Sequence, residues 1–187
     1  MNCYDFDKTI YDGDSTVDFY KYCIKHYPSV LISGPATIAA VVPFGLKLLE
    51  KTRFKQIFYR FLRHVPDVDK AVGDFWASHS KNIKGWYLRQ KRDDDLIISA
   101  SPEFLLQPIC DQLGIALMAS RVDIKTGRYT GVNCHGEEKV RRLQTSYPDA
   151  HIEEFYSDSY SDQPLAKVAD KAYMVFGDRI EEWKFRC

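Results

Sequence analysis

The sequence predicts an α/β protein whose doubly wound, largely parallel sheet carries a helical insertion after the first strand. Short apolar runs alternate with helical segments from residue 93 onward, and this alternation is typical of parallel sheets. Residues 2–6 form a separate short predicted strand ahead of the helical stretch. Residues 14–92 have helical periodicity and no convincing strand. We therefore expect a core of residues 1–13 and 93–187, with residues 14–92 as an inserted helical unit.

The N-terminal elements follow from local composition. Residues 2–6 form a predicted strand that ends at Asp5. The turn-rich run Asp-Gly-Asp-Ser at 12–15 comes next and supplies caps for a helix. Within the insertion, apolar side chains recur at helical intervals over 52–64, and 68–83 is a further helix candidate.

Strands and helices alternate in the second half of the chain. Residues 95–98 are a buried-strand run, and Pro102 stands where the first residue of a helix ending at Gly114 is expected. Residues 122–132 alternate around a Lys-Thr-Gly turn, as a β-hairpin does. The remaining predicted elements are strands at 115–119, 152–156 and 172–176 and helices at 136–147 and 162–168.

The charge balance and the cysteine content restrict the function classes. Lys plus Arg and Asp plus Glu are equal at 26 each, so no long-range field recruits nucleic acid. The five cysteines have no zinc-binding spacing, which favours reduced thiols in a cytosolic protein. Acidic residues occupy the positions where a signal peptide needs apolar ones. We expect a cytoplasmic protein without nucleic acid, and the sequence leaves its oligomeric state open.

Polar residues stand at the ends of the predicted strands. Asp5 and Asp7 follow the first strand, Ser99 follows the second, and Asp158 and Asp162 follow the fourth. Because the carboxyl ends of parallel strands meet at one edge of an open sheet, we expect these side chains to lie together. Converging carboxylates repel one another unless a cation lies among them, and Mg²⁺ prefers oxygen ligands. The sequence therefore predicts a magnesium site.

This arrangement suits phosphoryl transfer. An aspartate can attack phosphorus directly, which makes Asp5 the candidate nucleophile, and Asp7 could then transfer the protons. A turn beginning at Phe6 is needed to bring both carboxylates to one phosphate. Ser99 would hold phosphate oxygens together with N–H groups at the start of the next helix. Lys139 would neutralise the charge that builds up during the reaction.

Each of these residues also has an ordinary structural explanation. Asp5 and Asp7 could be turn formers after a strand. Ser99 could cap a helix, and Lys139 could be a solvated surface lysine. The order of the motifs along the chain favours the catalytic interpretation. We predict that Ser101 is the helix cap.

At these residues the chain resembles the haloacid dehalogenase superfamily of aspartate-nucleophile phosphatases. The D-x-D-x-T motif of that superfamily stands at 5–9, and its second motif, an apolar strand that ends in Ser or Thr, stands at 96–99. Its lysine ends the run Gly-Glu-Glu-Lys at 136–139, and its acidic motif stands at 156–162. The resemblance covers almost the whole chain. It implies a Rossmann-like core with a helical C1-type cap inserted after strand 1.

The resemblance also implies a role for each motif residue. Asp5 would be the nucleophile and Asp7 the acid and base of a phosphatase that forms an aspartyl phosphate. Mg²⁺ would be held by Asp5, the Asp7 carbonyl oxygen and Asp158, with Asp162 supporting the water shell of the metal. The implied phosphate contacts are Thr9, Ser99, Ala100 and Lys139.

Two branches of the superfamily match different parts of the sequence. The cap position is similar to that of subfamily IB, which includes phosphoserine phosphatase, but Ser-Asp-Ser at 157–159 replaces the Gly-Asp-Gly that is usual there. The runs at 99–102, 136–140 and 156–159 are more similar to those of phosphatidylglycerophosphatase C. The resemblance therefore implies either a small phosphorylated metabolite or a phosphorylated lipid headgroup as substrate.

One stretch of the insertion is apolar enough to contact a membrane. No charged residue stands between His26 and Lys47, and residues 30–49 have the length of a short membrane span. A single crossing would separate Asp5 from the other motifs, and the prolines and glycines instead indicate a broken helix or helical hairpin. Basic residues follow, as in a helix beside anionic lipid. The alternatives are a helical unit packed on itself and a peripheral membrane contact through residues 30–64.

Two further functions would use the same fold. A phosphate-ligand binding protein without turnover is one, although the intact Asp7 favours catalysis because binding needs no proton transfer. The other is a phosphotransferase to a hydroxyl acceptor, which would use every motif residue named above.

Overall fold

A computed structural model describes residues 1–186 of the chain, so the last cysteine, Cys187, lies outside the described residues. The strands of its sheet are β1 (Asn2–Tyr4), β2 (Leu96–Pro102), β3 (Ala116–Ser120), β4 (Ile152–Ser157), β5 (Ala169–Phe176) and β6 (Arg179–Glu182). The α-helices are α1 (Ser15–His26), α2 (Gly34–Gly45), α3 (Lys51–Phe58), α4 (Val68–His79), α5 (Gly85–Gln90), α6 (Glu103–Leu113), α7 (Glu137–Ser146) and α8 (Gln163–Ala166). Short 3₁₀ turns connect several of these elements.

The strands form one sheet in the order β3-β2-β1-β4-β5-β6. Neighbouring strands are parallel except β5 and β6, which pair antiparallel. In the middle, Tyr4 of β1 lies opposite Ile97 of β2 on one side and Tyr156 of β4 on the other. The strand order therefore reverses beside β1, and ligands of α/β sheets bind at such a point. The predicted α/β fold with a largely parallel, doubly wound sheet is confirmed.

The helices α1 to α5 lie between β1 and β2, as the helical periodicity of this region predicts. Asp14 caps α1 by accepting a hydrogen bond from Val17 N at 3.0 Å. The Trp76 indole of α4 donates to Leu105 O of α6 at 2.6 Å. This buried hydrogen bond joins the helical insertion to the layer that covers the sheet.

An aromatic cluster continues from the sheet into the insertion. Tyr4 stacks on Tyr156 with ring centres 4.9 Å apart. Phe6 stacks on Tyr11 at 5.8 Å and contacts the Trp76 ring edge-on at 5.9 Å. All five rings are buried, so they contribute apolar burial and ring contacts together. Their packing holds in place the chain segment that follows β1.

Some boundaries differ from the sequence prediction. β2 extends through Pro102, so α6 begins at Glu103 and not at the proline. The predicted hairpin at 122–132 has one isolated bridge, between Val122 and Tyr129, and no regular strand in the described structure. Here a turn brings two chain segments together without extending them into a ladder.

The last part of the sheet is larger than predicted. β5 begins at Ala169, earlier than the predicted start at residue 172, and β6 follows after a turn at Gly177. Sequence reasoning missed β6 because its residues are polar and mostly exposed. An edge strand of this kind lacks the apolar alternation by which strands are recognised.

The helical stretch Pro28–Gly45 is exposed although it is apolar. It is long and apolar enough to cross a membrane, with a mean hydropathy of 1.4 over 18 residues, but only 11% of these residues are buried. Its side chains that are more than half exposed include Leu31, Ile32, Ile38, Val41 and Val42. Most of this segment is therefore not covered by other parts of the described chain.

Candidate active site

Asp5 is the first residue after β1, at the carboxyl edge of the sheet. Its N–H donates to Tyr156 O of β4 at 2.9 Å, which continues the pairing of the two strands. The chain then turns, because Tyr11 N donates back to Phe6 O at 3.0 Å. The turn that was needed at Phe6 is present, and it brings Asp5 and Asp7 to one cavity.

That cavity has a volume of about 460 Å³. Asp5, Asp7, Ser99 and Ala100 line it, so the structure brings these predicted site residues together. The insertion supplies a facing part of the wall, with Lys51, Phe54, Lys55, Phe58 and Tyr59. We call this space the Asp5 cavity.

Lys139 of α7 contacts Asp5 directly. Its ammonium group lies 2.8 Å from Asp5 Oδ1 and 2.8 Å from Asp162 Oδ2, and the side chain is only 1% exposed. The Ser157 hydroxyl donates to the same Asp162 oxygen at 2.8 Å. Lys139 is thus not a solvated surface lysine, and its charge lies where negative charge at Asp5 needs compensation.

Asp7 is held by two hydrogen bonds, one from the nearby start of α1 and one from the distant end of β2. Ser15 N, at the start of α1, donates to Oδ1 at 2.7 Å, and the Ser101 hydroxyl donates to Oδ2. The prediction that Ser101 caps α6 is wrong, because Pro102 occupies the cap position and no side chain bonds there. A serine before a helix is ordinarily a cap, and only the pairing of β1 with β2 places this one beside Asp7.

Ser99 and Ala100 form the part of the cavity that β2 contributes. The Ser99 hydroxyl accepts a hydrogen bond from Ser101 N at 3.1 Å. Lys55 of α3 donates to Ala100 O at 2.9 Å and so reaches the same edge from the insertion. Sequence reasoning did not place Lys55 in the site, because nothing in the sequence distinguishes it from the other basic residues around it.

Thr9, Lys139, Asp158 and Asp162 are not among the residues that line the Asp5 cavity. Thr9 is fully buried, and its hydroxyl accepts a hydrogen bond from Asp158 N at 3.0 Å. It therefore connects the turn after β1 with the end of β4. The contact of Thr9 with a substrate phosphate stays a prediction.

Burial governs the charge state of the acidic residues. It raises the pKa of Asp5 to about 7, with Lys139 opposing the shift and Asp162 adding to it. Burial, and after it the charge of Asp14, raises the pKa of Asp7. Burial also disfavours the charged form of Lys139, but Asp5 and Asp162 outweigh it and raise the Lys139 pKa above its usual range.

The donor set in this cluster fits a divalent cation. Burial raises the pKa of both Asp5 and Asp158. Lys139 opposes the shift at Asp5, Lys8 and Lys139 oppose it at Asp158, and the charge of Asp162 adds to both. A cation would offset this repulsion, and carboxylate oxygens are the ligands that Mg²⁺ prefers. Lys139 donates to Asp5 Oδ1, so the second oxygen of that carboxylate remains available to a metal. The residues present therefore fit Mg²⁺.

Only two of the predicted metal ligands are side-chain groups. Within residues 1–186, no group of three or more His, Cys, Asp or Glu side chains is arranged to hold a metal ion. The predicted set does not need such a group, because it consists of the Asp5 and Asp158 carboxylates and the Asp7 carbonyl oxygen. The remaining coordination positions of Mg²⁺ are usually filled by water and substrate phosphate.

Comparison with protein families identifies the kind of protein. The family model of haloacid dehalogenase-like hydrolases matches residues 3–167, which contain the ends of β1, β2 and β4 and all of α7. The chain belongs to the haloacid dehalogenase-like hydrolase family. The predicted membership in this superfamily is thereby confirmed, and this hydrolase carries the predicted motif residues within the matched range.

Solved structures share the fold of this hydrolase at low sequence identity. A protein of unknown function from Bordetella pertussis Tohama I is 18% identical with a TM-score of 0.72, over 92% of this chain and 87% of that one. A probable phosphoserine phosphatase from Vibrio cholerae is 12% identical with a TM-score of 0.65. The match covers 91% of this chain but 55% of that one, so the chain spans about half of its length.

A third solved structure matches this chain over most of the length of both proteins. A phosphoserine phosphohydrolase-like protein from Francisella tularensis is 16% identical with a TM-score of 0.53, over 92% of this chain and 86% of that one. At these identities the similarity shows the fold alone. A search of curated proteins gave no significant match.

Proposed function

We propose that this hydrolase cleaves phosphomonoesters through an aspartyl phosphate formed on Asp5. The observation that carries the proposal is the 2.8 Å contact between Lys139 and Asp5, a residue of the cavity wall. An anionic carboxylate must attack an anionic phosphate in this reaction. A buried ammonium group beside the carboxylate offsets both charges, and such preorganised charge is a major source of catalysis.

The proposed reaction has two halves. A carboxylate oxygen of Asp5 attacks phosphorus, the bond from phosphorus to the alcohol oxygen breaks, and Asp7 gives its proton to that oxygen. A water molecule then attacks the aspartyl phosphate, Asp7 takes a proton from the water, and phosphate leaves with the Asp5 carboxylate restored. The raised pKa of Asp7 favours the protonated form that the first half requires.

The acidic cluster is proposed to hold Mg²⁺ through Asp5, the Asp7 carbonyl oxygen and Asp158. Asp162 would support the water shell of the metal. When bound, the ion would polarise the phosphoryl oxygens and neutralise part of their charge. The proposed contacts of the substrate phosphate are Thr9, Ser99, Ala100 and Lys139.

Residues 14–92 are proposed to be a C1-type cap on a core of residues 1–13 and 93–187, as in subfamily IB. Support comes from α3, whose side chains form one wall of the Asp5 cavity. Side chains of such a cap would select the leaving group. The fold similarity to phosphoserine phosphatase-like proteins favours a small phosphorylated metabolite, with a phosphorylated lipid headgroup as the alternative.

The cytoplasm is the proposed location. Cys3, Cys23, Cys110 and Cys134 are free and buried in the described structure, and unpaired thiols are typical of reducing compartments. Secretion would expose the protein to oxidising conditions, in which small domains are commonly disulfide-bonded.

Release of phosphate from p-nitrophenyl phosphate in the presence of Mg²⁺ tests the proposed reaction. The Asp5→Asn variant should release no phosphate, whereas Asp12→Asn, a change of an exposed aspartate in the same turn, should keep the wild-type rate. Unchanged turnover in Asp5→Asn would refute the nucleophile assignment.

Ester binding by the wild type without hydrolysis would indicate the phosphate-ligand binding function. Transfer of the phosphoryl group to an added alcohol would indicate a phosphotransferase.

We propose in addition that residues 30–64 contact a membrane surface peripherally. The exposed apolar side chains of Pro28–Gly45 favour this function, because apolar patches of this kind mark membrane or protein contacts. From Lys47 to Arg63 the chain has six basic residues and one acidic residue. All the basic residues except Lys55, which belongs to the Asp5 cavity, are exposed, and they complement an anionic lipid surface. Asp5, which precedes the apolar stretch, and Lys139, which follows it, contact each other. Both ends of the stretch therefore lie on the same side of a membrane, which favours contact with one membrane surface over a crossing of the bilayer.

Sedimentation with vesicles of phosphatidylcholine and phosphatidylglycerol tests this contact. The wild type should sediment with the vesicles, and a double variant, Ile38→Asp with Val42→Asp, should stay in the supernatant. Leu88→Asp is the matched control, because Leu88 is a partly exposed apolar residue outside the segment. If the wild type instead forms an oligomer that the double variant dissociates, the apolar face binds a second copy and the membrane proposal fails.

A further inference from the structure

A second concavity lies beside the helical insertion, with a volume of about 710 Å³. Arg53, Arg60 and Arg63 line it from α3 and the 3₁₀ turn Tyr59–His64, and Arg128 lines it from the loop between β3 and α7. We call it the arginine groove. It shares no lining residue with the Asp5 cavity, because the two spaces take side chains from different faces of α3.

The two walls of the groove are held together by close backbone packing. Gly127 has a φ of +71°, and a Cβ atom at this position would lie 2.5 Å from Tyr59 O. Only glycine fits such an approach without a shift of the chain. Arg63 Nε also donates to Thr126 O across the groove at 3.3 Å. The arginines of the insertion and Arg128 are therefore kept side by side.

The charge of the groove is not balanced by acidic side chains. The four groove arginines are exposed and form no ion pair with a carboxylate in residues 1–186, and Glu50 is the one acidic residue of the lining. Five of the seven other arginines of the chain pair with Asp or Glu, namely Arg92, Arg121, Arg141, Arg142 and Arg179. Arg89 and Arg186 have no such partner within residues 1–186, but they stand apart from the groove lining, and Arg186 lies over the Tyr160 ring. In a chain of zero net charge, this local excess indicates a place for an anion.

We propose that the arginine groove binds a ligand with clustered phosphate groups. Guanidinium groups bind phosphate oxygens in bidentate pairs, which is why arginine is favoured over lysine in phosphate recognition. Four arginines offer more such pairs than one phosphate group can accept. The volume is also that of a small-molecule site and not of a single ion. A polyphosphate chain or a multiply phosphorylated lipid headgroup has this chemistry.

Such a ligand would also connect two parts of the fold. An anion that contacts Arg60 and Arg128 together joins the insertion to the β3–α7 loop. Because α3 also forms a wall of the Asp5 cavity, the bound ligand would hold that wall in place. The binding itself does not depend on the proposed hydrolysis, since the groove and the Asp5 cavity have separate linings.

Binding of two probes tests the proposal. Inorganic tripolyphosphate is titrated into the full chain by calorimetry, and phosphatidylcholine vesicles with phosphatidylinositol 4,5-bisphosphate are used in sedimentation. The groove variant is Arg60→Gln with Arg128→Gln, and the control is Arg121→Gln with Arg179→Gln, which removes two exposed arginines elsewhere. The groove variant should bind at least about tenfold more weakly, since two charge-assisted hydrogen-bonded pairs are lost. The control should match the wild type.

The two probes separate the possible sources of the ligand. Groove-dependent binding of tripolyphosphate supports a soluble polyanion, and groove-dependent binding of the vesicles alone supports a lipid headgroup. Equal behaviour of the wild type and the groove variant with both probes, including no binding, overturns the proposal. The titrations are repeated with Asp5→Asn, so that a failure of the proposed hydrolysis and a failure of groove binding give different results. Circular dichroism confirms that each variant is folded.

Discussion

The Lys139 ammonium group lies 2.8 Å from Asp5 Oδ1, although 134 positions separate the two residues in the chain. Asp5 directly follows the central strand β1, and Lys139 stands in the first turn of α7. The same ammonium group binds Asp162 at 2.8 Å. One buried cation thus connects three segments that the sheet topology brings to a single edge.

Removal of this cation should destabilise the fold. Lys139→Met leaves the buried carboxylates of Asp5 and Asp162 without their partner, and breaking a buried ion pair from one side costs about 3–5 kcal/mol of unfolding free energy. Urea unfolding in the absence of Mg²⁺ measures the loss. Lys167→Met, at an exposed lysine, should change stability by less than about 0.5 kcal/mol. Equal losses in both variants would contradict a stabilising role of the contact.

The hydrogen bond between Ser101 and Asp7 should matter for turnover more than for binding. Ser101→Ala removes a donor that fixes the Asp7 carboxylate. In the second half of the proposed reaction Asp7 acts as a charged carboxylate, and a hydrogen bond to a charged group contributes about 1.5–3 kcal/mol. We therefore expect kcat to fall by roughly 10- to 100-fold with little change in KM. Steady-state kinetics with p-nitrophenyl phosphate measures both constants. Ser161→Ala, at an exposed serine, is the control, and a similar effect there would argue against positioning by Ser101.

Mg²⁺ should stabilise the folded protein as well as support turnover. A ligand at a hundredfold excess over its dissociation constant adds about 2.7 kcal/mol to the unfolding free energy. We therefore expect Mg²⁺ to raise the Tm, EDTA to reverse the rise and abolish activity, and Asp158→Asn to remove the rise. Asp149→Asn, at an exposed position, should keep it. A Tm rise that persists in Asp158→Asn would place the metal elsewhere.

Lys55 should make substrate binding dependent on pH. Burial and, after it, the charge of Lys51 together lower the Lys55 pKa to about 8. Below this pH the ammonium group is charged and attracts a phosphate ester, and above it the charge is lost. KM should therefore rise as the pH increases through about 8. Lys55→Arg keeps its charge over this range, so its KM should stay flat, and the same rise in that variant would exclude Lys55 as the cause.

Gly127 should be far less tolerant of substitution than a glycine of similar conformation. Gly114 and Gly127 have φ values of +68° and +71°, but a Cβ atom meets nothing within 4 Å at Gly114. Gly114→Ala should cost about 1 kcal/mol for the left-handed conformation alone. Gly127→Ala should cost about 1–3 kcal/mol more because of the contact with Tyr59 O. Urea unfolding compares the two variants. Equal costs would mean that the loop is not packed against Tyr59.

The hydrophobic pattern of the sequence predicted the apolar strands of the sheet but did not predict its polar edge strand. The run at residues 96–98 was recognisable as part of β2 because three consecutive apolar residues indicate a buried strand, and all three are buried in the structure. The polar edge strand β6 had no such pattern. In the same way, the predicted hairpin at 122–132 has a suitable turn at Gly127, but this glycine packs against Tyr59 instead of supporting a regular ladder.

The site was predicted to the extent that it consists of strand ends. Asp5, Asp7 and Ser99 were singled out because they stand at the ends of predicted strands and because their motifs follow one another in the expected order along the chain. Ser101 was assigned to a helix cap, and Lys55 was not singled out, because their contacts with Asp7 and Ala100 are made between distant segments. No local property of either residue indicates these contacts.

The sequence alone determined the α/β class, the helical insertion after β1, and the acidic residues at the sheet edge, because periodicity and composition are local properties of the chain. Tertiary structure decided that Lys139 is buried against Asp5, that Ser101 binds Asp7, and that four unpaired arginines share one groove. These relationships depend on which strands pair and on how α3 packs. Strand pairing and helix packing are set by the burial of apolar surface over the whole molecule, which no single segment contains.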